Sequence, residues 1–129
     1  MPLLWHIDDG LHLLAVTKAT VLQVPGWDFE GFTTGQEAIR AYTRRPLHER
    51  PEVILMDYFI GHERGDAVTR ILRQLDPRPG RSRIIGHSSM RQASEAIVRA
   101  GGDGILTKHH LDTGINPSLL AWLSHQANA

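Results

Sequence analysis

Short apolar runs alternate along this chain with stretches of helical period. Four of the runs are brief and almost free of polar residues, which is typical of strands buried on both faces of a parallel sheet. A fifth run, Trp27–Phe32, is more polar and fits an edge strand. The four buried runs are Leu3–Ile7, Val53–Met56, Ile84–Ile85 and Ile105–Leu106.

Between the runs, apolar residues recur at helical spacing, and capping signals mark several helix ends. Thr34 to Glu37 has the form of a capping box, and Asn116-Pro117 is typical of a cap followed by a first helical residue. Pro25-Gly26 ends the first helix, and the third ends before Asp76-Pro77. The helices are marked by Leu11, Leu14, Ala15 and Leu22; Ala38, Ile39 and Tyr42; Val68, Ile71, Leu72 and Leu75; Ala93, Ala96, Ile97 and Ala100; and Leu119, Leu120 and Leu123.

This succession of five strand-helix pairs predicts a doubly wound α/β fold. We expect a five-stranded parallel sheet with helices on both faces, joined by right-handed crossovers. Ligands of such sheets bind outside the carboxyl ends of the strands. Functional side chains are therefore expected among the residues that directly follow each strand.

Length and charge narrow the class of protein further. The 129 residues predict a single domain over residues 1–129. The 14 basic and 14 acidic residues cancel, which argues against nucleic-acid and membrane-surface binding. Cysteine is absent, so disulfides, thiolate zinc sites and cysteine nucleophiles are excluded. No run approaches the roughly 20 apolar residues that cross a bilayer, and no signal peptide precedes the first strand. We expect a soluble, cytoplasmic protein.

Polar residues follow four of the predicted strands. Three carboxylates at one sheet edge would repel one another unless a cation neutralised them, and an all-oxygen ligand set suits Mg²⁺, with Mn²⁺ or Ca²⁺ as substitutes. A lysine can balance an anion, and a serine hydroxyl can donate a hydrogen bond to one. Together these groups can move a phosphoryl group onto an aspartate. The residues are Asp8-Asp9, Asp57, Ser88-Ser89 and Lys108.

Each of these residues also has a plainer interpretation when taken alone. Asp8 or Asp9 fits a helix cap, a lone aspartate after a strand is more often a turn residue, and a lone lysine is more often solvated. Eight histidines raise the alternative of a zinc or iron site. That alternative is weak, because no two histidines have helical i, i+4 spacing, and His87 in a central strand fits a hydrogen-bonded core residue better.

The whole constellation resembles the receiver domain of bacterial two-component response regulators (CheY-like), over essentially the entire chain. Residues 53–65, VILMDYFIGHERG, are similar to that family's phosphoacceptor motif, with Gly65 eight residues after Asp57. Ile7-Asp8-Asp9 resembles its acidic pair, residues 84–89 its hydroxyl strand, and residues 100–108 its lysine strand. The resemblance implies a flavodoxin-like sheet with strand order 2-1-3-4-5.

The resemblance also implies a role for each site residue. Asp57 would accept a phosphoryl group from a partner's phosphohistidine. Asp9 and Asp57, with the main-chain carbonyl of Phe59, would hold Mg²⁺, and Asp8 would bind it directly or through water. Lys108 and the Ser88 hydroxyl would hold the phosphoryl oxygens. Preorganised positive charge would meet the negative oxygens of an in-line transfer.

Two departures from the family affect switching. The lysine is usually followed by a cis proline, whereas His109 follows Lys108. Because a non-proline cis bond costs about 2.5–4 kcal/mol, we predict a trans Lys108–His109 peptide and a rerouted loop. The family's switch pairs the hydroxyl, here Ser88, with a Tyr or Phe three residues before the lysine. Ile105 stands at that position, so the usual readout is weakened or replaced.

Two further departures concern the fourth helix and the lifetime of the phosphorylated state. The stretch from Ser88 to Gly101 is about two residues shorter than usual, which predicts a late or shortened helix. Phe59 and Met90, two residues beyond Asp57 and Ser88, flank the path of the hydrolytic water in this family. Both are bulky and apolar, so we predict slow hydrolysis of the acyl phosphate.

The expected function is that of a receiver without an output domain, since only 21 residues follow Lys108. Its expected partners are a histidine kinase or histidine phosphotransfer protein and an unidentified downstream protein, with at most a weak homodimer. It is not expected to be an enzyme beyond its own phosphorylation and dephosphorylation. The alternative is a pseudo-receiver, an interaction module that no longer switches. A Mg²⁺-dependent aspartyl phosphatase does not fit, because Phe59 replaces the second acid.

Overall fold

The computed structural model describes residues 2–108 and 114–127. Strands and helices alternate along these residues, except that three strands follow one another over residues 53–64. A single 3-10 turn, Leu47–Glu49, precedes the third strand. In chain order the elements are β1 (Leu3–Ile7), α1 (Leu11–Val21), β2 (Asp28–Phe32), α2 (Gly35–Arg44), β3 (Val53–Met56), β4 (Phe59–Ile60), β5 (Glu63–Arg64), α3 (Gly65–Leu75), β6 (Arg83–Gly86), α4 (Arg91–Arg99), β7 (Gly104–Ile105) and α5 (Pro117–Ala127).

Five of the strands form one parallel sheet in the order β2-β1-β3-β6-β7. This is the predicted order 2-1-3-4-5, because β4 and β5 form a separate antiparallel hairpin. The doubly wound fold is therefore confirmed. The hairpin was not predicted, since two-residue strands carry no periodic signal.

The sheet separates two apolar cores. Successive side chains of a strand point to opposite faces, so Trp5 of β1 packs in one core and Leu4 in the other. Residues of α2, α3 and α4 cover the face of Trp5, and residues of α1 and α5 cover the face of Leu4. Because both faces are covered, the sheet exposes functional groups only at its edges.

Local signals position the helices as predicted. The Thr34 hydroxyl accepts a hydrogen bond from the Glu37 amide at 3.1 Å, and the Asn116 side chain accepts one from the Leu119 amide at 3.1 Å. Both contacts satisfy otherwise unpaired first-turn amides. α4 has nine residues and is the shortest α-helix of the described chain. Its shortening relative to the family stays a prediction.

The peptide bond between Lys108 and His109 lies outside the described residues, so its predicted trans geometry stays a prediction. The fifth sheet strand begins one residue earlier than predicted, at Gly104, and the amide of Leu106 still donates to the Gly86 carbonyl at 2.9 Å. No α-helix in the described ranges is long and apolar enough to cross a bilayer.

Candidate phosphoryl-transfer site

Asp8 and Asp57 lie side by side at the carboxyl edge of the sheet. Each directly follows its strand, and the Asp57 amide still donates to the Ile7 carbonyl at 3.1 Å, so the β1–β3 ladder runs into the site. One carboxylate oxygen from each of Asp8, Asp9 and Asp57 falls within 4.8 Å of the other two. The predicted convergence of three carboxylates from two strand ends is therefore present. They offer three oxygen ligands to a metal ion.

Lys108 joins this cluster from the segment that follows β7. Its Nζ lies 2.7 Å from Asp8 Oδ2 and 3.3 Å from Asp57 Oδ1. Its amide donates to the Ser88 carbonyl at 3.2 Å, which fixes the backbone from which the side chain reaches back. The lysine side chain is 14% exposed. One largely buried amine thus neutralises carboxylates from two different strands.

Asp9 is the exposed member of the cluster, and it ties the β4–β5 hairpin to the site. Its Oδ2 accepts a hydrogen bond from the Gly61 amide at 3.1 Å. Gly61 occupies the hairpin turn with φ of +61°, a conformation that glycine adopts without a steric cost. The hairpin therefore holds the carboxylate that faces solvent.

The tight packing at this site requires glycine at position 65, eight residues after Asp57. A Cβ placed on Gly65 would lie 1.9 Å from the Asp57 carbonyl oxygen. The Gly65 amide donates to the Tyr58 carbonyl at 2.7 Å, so the start of α3 presses against the loop that carries the aspartate. Any side chain at this position would push the Asp57 backbone out of place.

The two buried carboxylates differ electrostatically. Burial raises the pKa of Asp8, but the neighbouring His6, with Nε2 at 3.2 Å, the Lys108 ammonium and the Gly10 amide together outweigh it, so the pKa lies well below its usual value. Burial and the neighbouring Asp8 charge raise the pKa of Asp57, and Lys108 and the Tyr58 amide offset only part of this. Asp8 therefore stays ionised at neutral pH, whereas any additional cation would stabilise the ionised form of Asp57.

Within the described residues, neither the Ser88 hydroxyl nor Ile105 bonds to the three carboxylates. Ser88 follows β6 and is buried, and its hydroxyl accepts the Met90 amide at 3.1 Å. Ile105 of β7 is half-buried and pairs with Gly86 of β6. Phe59 and Met90 are 57% and 53% exposed. Their effects on the phosphate and the roles assigned to Ser88 and to the Phe59 carbonyl stay predictions.

Two buried histidines, which were not predicted as site residues, lie against each other next to Asp8. His6 of β1 is buried, with Nε2 3.2 Å from Asp8 Oδ2 and Nδ1 2.8 Å from the Thr17 hydroxyl. His6 and Asp8 are two residues apart on an extended chain, so the strand period already places them on one face. The ring of His87 stands edge-on to that of His6, at 5.5 Å between centroids.

His87 is a core residue, as expected. Its Nδ1 lies 2.6 Å from the Leu106 carbonyl, and burial lowers its pKa to about 3. Among the described residues, the three aspartates are the one group of three or more potential metal ligands. The histidine-based metal site therefore has no support there, while His109 and His110 fall outside the described ranges.

The fold and site geometry lead to one structural class. No protein-family model matches the sequence, and no curated protein sequence matches it. Many solved structures do share its fold over the whole chain, and they are receiver domains of response regulators. The chain therefore has the flavodoxin-like fold of the CheY-like receiver domains, as the sequence predicted.

Three of these structures illustrate the similarity. A CheY-like receiver domain protein from Methanospirillum hungatei JF-1 has a TM-score of 0.77 at 19% identity, covering 99% of this chain and 94% of that one. The response regulator domain of Thermotoga maritima CheB has a TM-score of 0.74 at 23% identity, covering 100% and 98%. The receiver domain of a sensor histidine kinase from Pseudomonas aeruginosa PAO1 has a TM-score of 0.74 at 22% identity, covering 97% and 93%. That domain is described with a magnesium ion coordinated in its active-site cleft.

Proposed function

We propose that this chain is a phosphoacceptor receiver in which Asp57 takes a phosphoryl group from a partner's phosphohistidine. The observation that carries the proposal is the meeting of three carboxylates within 4.8 Å beside an amine that contacts two of them. Like charges are costly to bring together unless a bound ion compensates them. The cluster is therefore typical of a site that binds a cation and, beside it, an anion. Phosphorylation then alters the binding of a downstream protein.

The donor set fits a hard divalent cation, because all three side chains offer carboxylate oxygen. Asp8, Asp9 and Asp57 would hold Mg²⁺, with the Phe59 carbonyl as a further ligand. When bound, Mg²⁺ supplies positive charge that offsets the carboxylates and the phosphoryl oxygens.

The chain's own residues carry the transfer. A carboxylate oxygen of Asp57 forms the new P–O bond as the P–N bond of the partner's phosphohistidine breaks, and the departing imidazole takes up a proton. Lys108, released from one carboxylate, pairs with a phosphoryl oxygen, and the Ser88 hydroxyl donates to another. Asp8 keeps its negative charge throughout, since its pKa lies far below neutral pH.

A mass measurement tests this proposal. The protein is incubated with acetyl phosphate and Mg²⁺, and we expect a mass increase of about 80 Da, the mass of one phosphoryl group, because acyl phosphates can replace the phosphohistidine donor. Asp57→Asn should abolish the adduct, whereas Asp28→Asn, an exposed carboxylate of β2, should leave it intact. An adduct that survives Asp57→Asn, or none in the wild type, rejects the phosphoacceptor role.

The pseudo-receiver is a second candidate because of Ile105. An aliphatic side chain at this position lacks the large ring rotation of the family's aromatic switch. The two candidates differ in outcome: a pseudo-receiver gains no phosphoryl group, or gains one without any change in its spectrum around Ser88 and Ile105. Amide NMR shifts recorded before and after phosphorylation separate them.

The exposed Phe59 and Met90 side chains predict a long-lived phosphoryl group. Both are apolar and lie two residues beyond Asp57 and Ser88, where we propose that they shield the acyl phosphate from water. Phe59→Asn should therefore shorten the phosphorylated lifetime, by about tenfold if it admits one positioned water. The lifetime is measured from the decay of the adduct after the donor is removed. A wild-type lifetime of only seconds that Phe59→Asn leaves unchanged would contradict the prediction.

A further inference from the structure

A small polar cavity lies at the amino edge of the sheet, the edge opposite the carboxylate cluster. Its volume is about 170 Å³. Residues that directly precede two strands form part of its lining: Pro51 and Glu52 come before β3, and Arg81 and Ser82 come before β6. Because β3 and β6 run parallel and the carboxylate cluster lies at the carboxyl edge, the two sites are separate.

Three arginines line this cavity, namely Arg50, Arg78 and Arg81. The carboxylate of the lining belongs to Glu52, which is exposed. Arg50 and Arg78 share one further carboxylate, since Asp76 lies 3.3 Å from Arg50 Nη1 and 2.9 Å from Arg78 Nε. Around the cavity, the positive groups of the described residues therefore outnumber the negative ones.

Arg81 is the arginine whose charge is left without compensation. Its Nε is buried and has no hydrogen-bond partner, and within the described ranges its guanidinium forms no ion pair. Arg73 lines a second cavity together with Arg81 and is paired with Asp103 at 2.6 Å. Burial lowers the pKa of Arg73, Asp103 offsets part of this, and the charge of Arg81 lowers it further. An unpaired cation beside like charges is costly unless an anion joins it.

Contacts within the protein hold the lining in place. Arg50 is 13% exposed. Its Nε donates to the Tyr42 carbonyl at 3.0 Å, and its guanidinium lies over the Tyr42 ring, 4.4 Å from the centroid. The buried Ser82 hydroxyl donates to the Pro51 carbonyl at 2.5 Å, which joins the segments that enter β3 and β6. A ligand would therefore meet groups that are already ordered, which reduces the entropy cost of binding.

We infer that this cavity binds a single phosphate group between Arg50, Arg78 and Arg81. A guanidinium presents its N–H donors in a planar fork that matches the oxygens of a phosphate. The volume lies below the roughly 300–1,000 Å³ of sites for drug-sized ligands, and the lining is almost entirely polar. The ligand is therefore free phosphate, or a phosphate monoester whose remainder lies in solvent. This inference goes beyond the proposed function and does not depend on it.

The experiment is a calorimetric titration of the full chain with inorganic phosphate and, separately, with adenosine monophosphate, in Mg²⁺-free buffer at constant ionic strength. Arg81→Gln should weaken binding by about tenfold, the size of one charge-assisted hydrogen bond. Glu52→Gln removes the carboxylate of the lining and should strengthen binding several-fold. Arg40→Gln, which replaces an exposed arginine of α2, is the matched control and should leave the affinity unchanged.

The two probes distinguish the possible sources of the phosphate group. Equal or weaker binding of adenosine monophosphate identifies free phosphate as the ligand, and tighter binding identifies a phosphate monoester. If the wild type binds neither probe, or if wild type and Arg81→Gln bind with equal affinity, the inference is overturned.

Thermal unfolding separates anion binding from a purely structural role of Arg81. In phosphate-free buffer the Tm of Arg81→Gln should be no lower than that of the wild type, because the variant loses a cation without a partner in the described residues. Phosphate at about ten times its Kd should raise the wild-type Tm by about 3–5 °C and leave that of the variant unchanged. A lower Tm of the variant in phosphate-free buffer, or an equal response of both proteins to phosphate, overturns the inference.

Discussion

Replacing Lys108 with methionine should strengthen Mg²⁺ binding several-fold and slow the phosphorylation of Asp57 about a hundredfold. The two effects have opposite signs because the amine acts on two partners. Its Nζ sits 2.7 Å from Asp8 and 3.3 Å from Asp57, where its charge competes with a divalent cation. During transfer the same charge stabilises the phosphoryl oxygens, and removing one such group typically costs 10²–10³ in rate.

Methionine keeps the apolar stem of the lysine, so the substitution removes mainly the charge. The metal affinity is measured by calorimetry, and the phosphorylation rate by the appearance of the 80 Da adduct (the mass of one phosphoryl group) at saturating Mg²⁺. Arg70→Met, which removes an exposed cation paired with Asp66 in α3, is the matched control and should change neither. A loss of both affinity and rate in Lys108→Met would mean that the lysine only maintains the structure.

Replacing Asp76 with asparagine should destabilise the protein by about 2–3 kcal/mol and lower its Tm by roughly 10 °C. Asp76 is buried after α3, where it accepts the Tyr42 hydroxyl at 2.6 Å and pairs with Arg50 at 3.3 Å and Arg78 at 2.9 Å. Burial raises the pKa of Asp76, but these three partners outweigh it and lower the pKa below the ordinary 3.8. Removing the charge leaves Arg50 largely buried without its carboxylate.

Asp57→Asn should have the opposite effect on stability. The two aspartates are similarly buried, yet the pKa of Asp57 is raised by burial and by Asp8. Its charge therefore opposes folding at neutral pH. In metal-free buffer Asp57→Asn should raise the Tm by about 3 °C, corresponding to on the order of 1 kcal/mol. Thermal unfolding followed by circular dichroism compares both variants, and equal signs for the two would contradict this assignment of charges.

The pH dependence follows from the same pKa directions. The lowered pKa of Asp76 contributes stability that is present above pH 3.8 and is lost as the pH falls towards its folded-state pKa. The deficit of Asp76→Asn should therefore shrink below about pH 4. The gain of Asp57→Asn should disappear as the pH falls through the raised pKa of Asp57, since the wild-type carboxyl is then neutral too.

Much of the fold could be predicted because the sheet is buried on both faces. Unbroken apolar runs such as Val53–Met56 can hardly be anything but central strands, and Thr34 and Asn116 mark helix starts by their own side chains. The strand order came from the family resemblance, since periodicity does not rank strands. The β4–β5 hairpin was missed because its order comes from contacts with Asp9 and α3, which no local pattern contains.

The site residues that follow strand ends could be predicted from the sequence, whereas a neighbouring residue within a strand could not. Asp8, Asp57 and Lys108 interrupt apolar runs, which made them visible. His6 lies inside such a run and is similar in volume to its neighbours, so it has no distinct pattern. Its contact with Thr17, eleven residues away, depends on how α1 packs against β1.

The sharing of one divalent cation by carboxylates of β1 and β3 is tested most directly by Mg²⁺ titration of the wild type and single-site variants. Calorimetry should give saturable one-to-one binding, at least tenfold weaker in both Asp9→Asn and Asp57→Asn and unchanged in Asp28→Asn. If the wild type does not bind Mg²⁺, or if either strand's aspartate can be replaced without loss of affinity, the carboxylates do not form a common metal site.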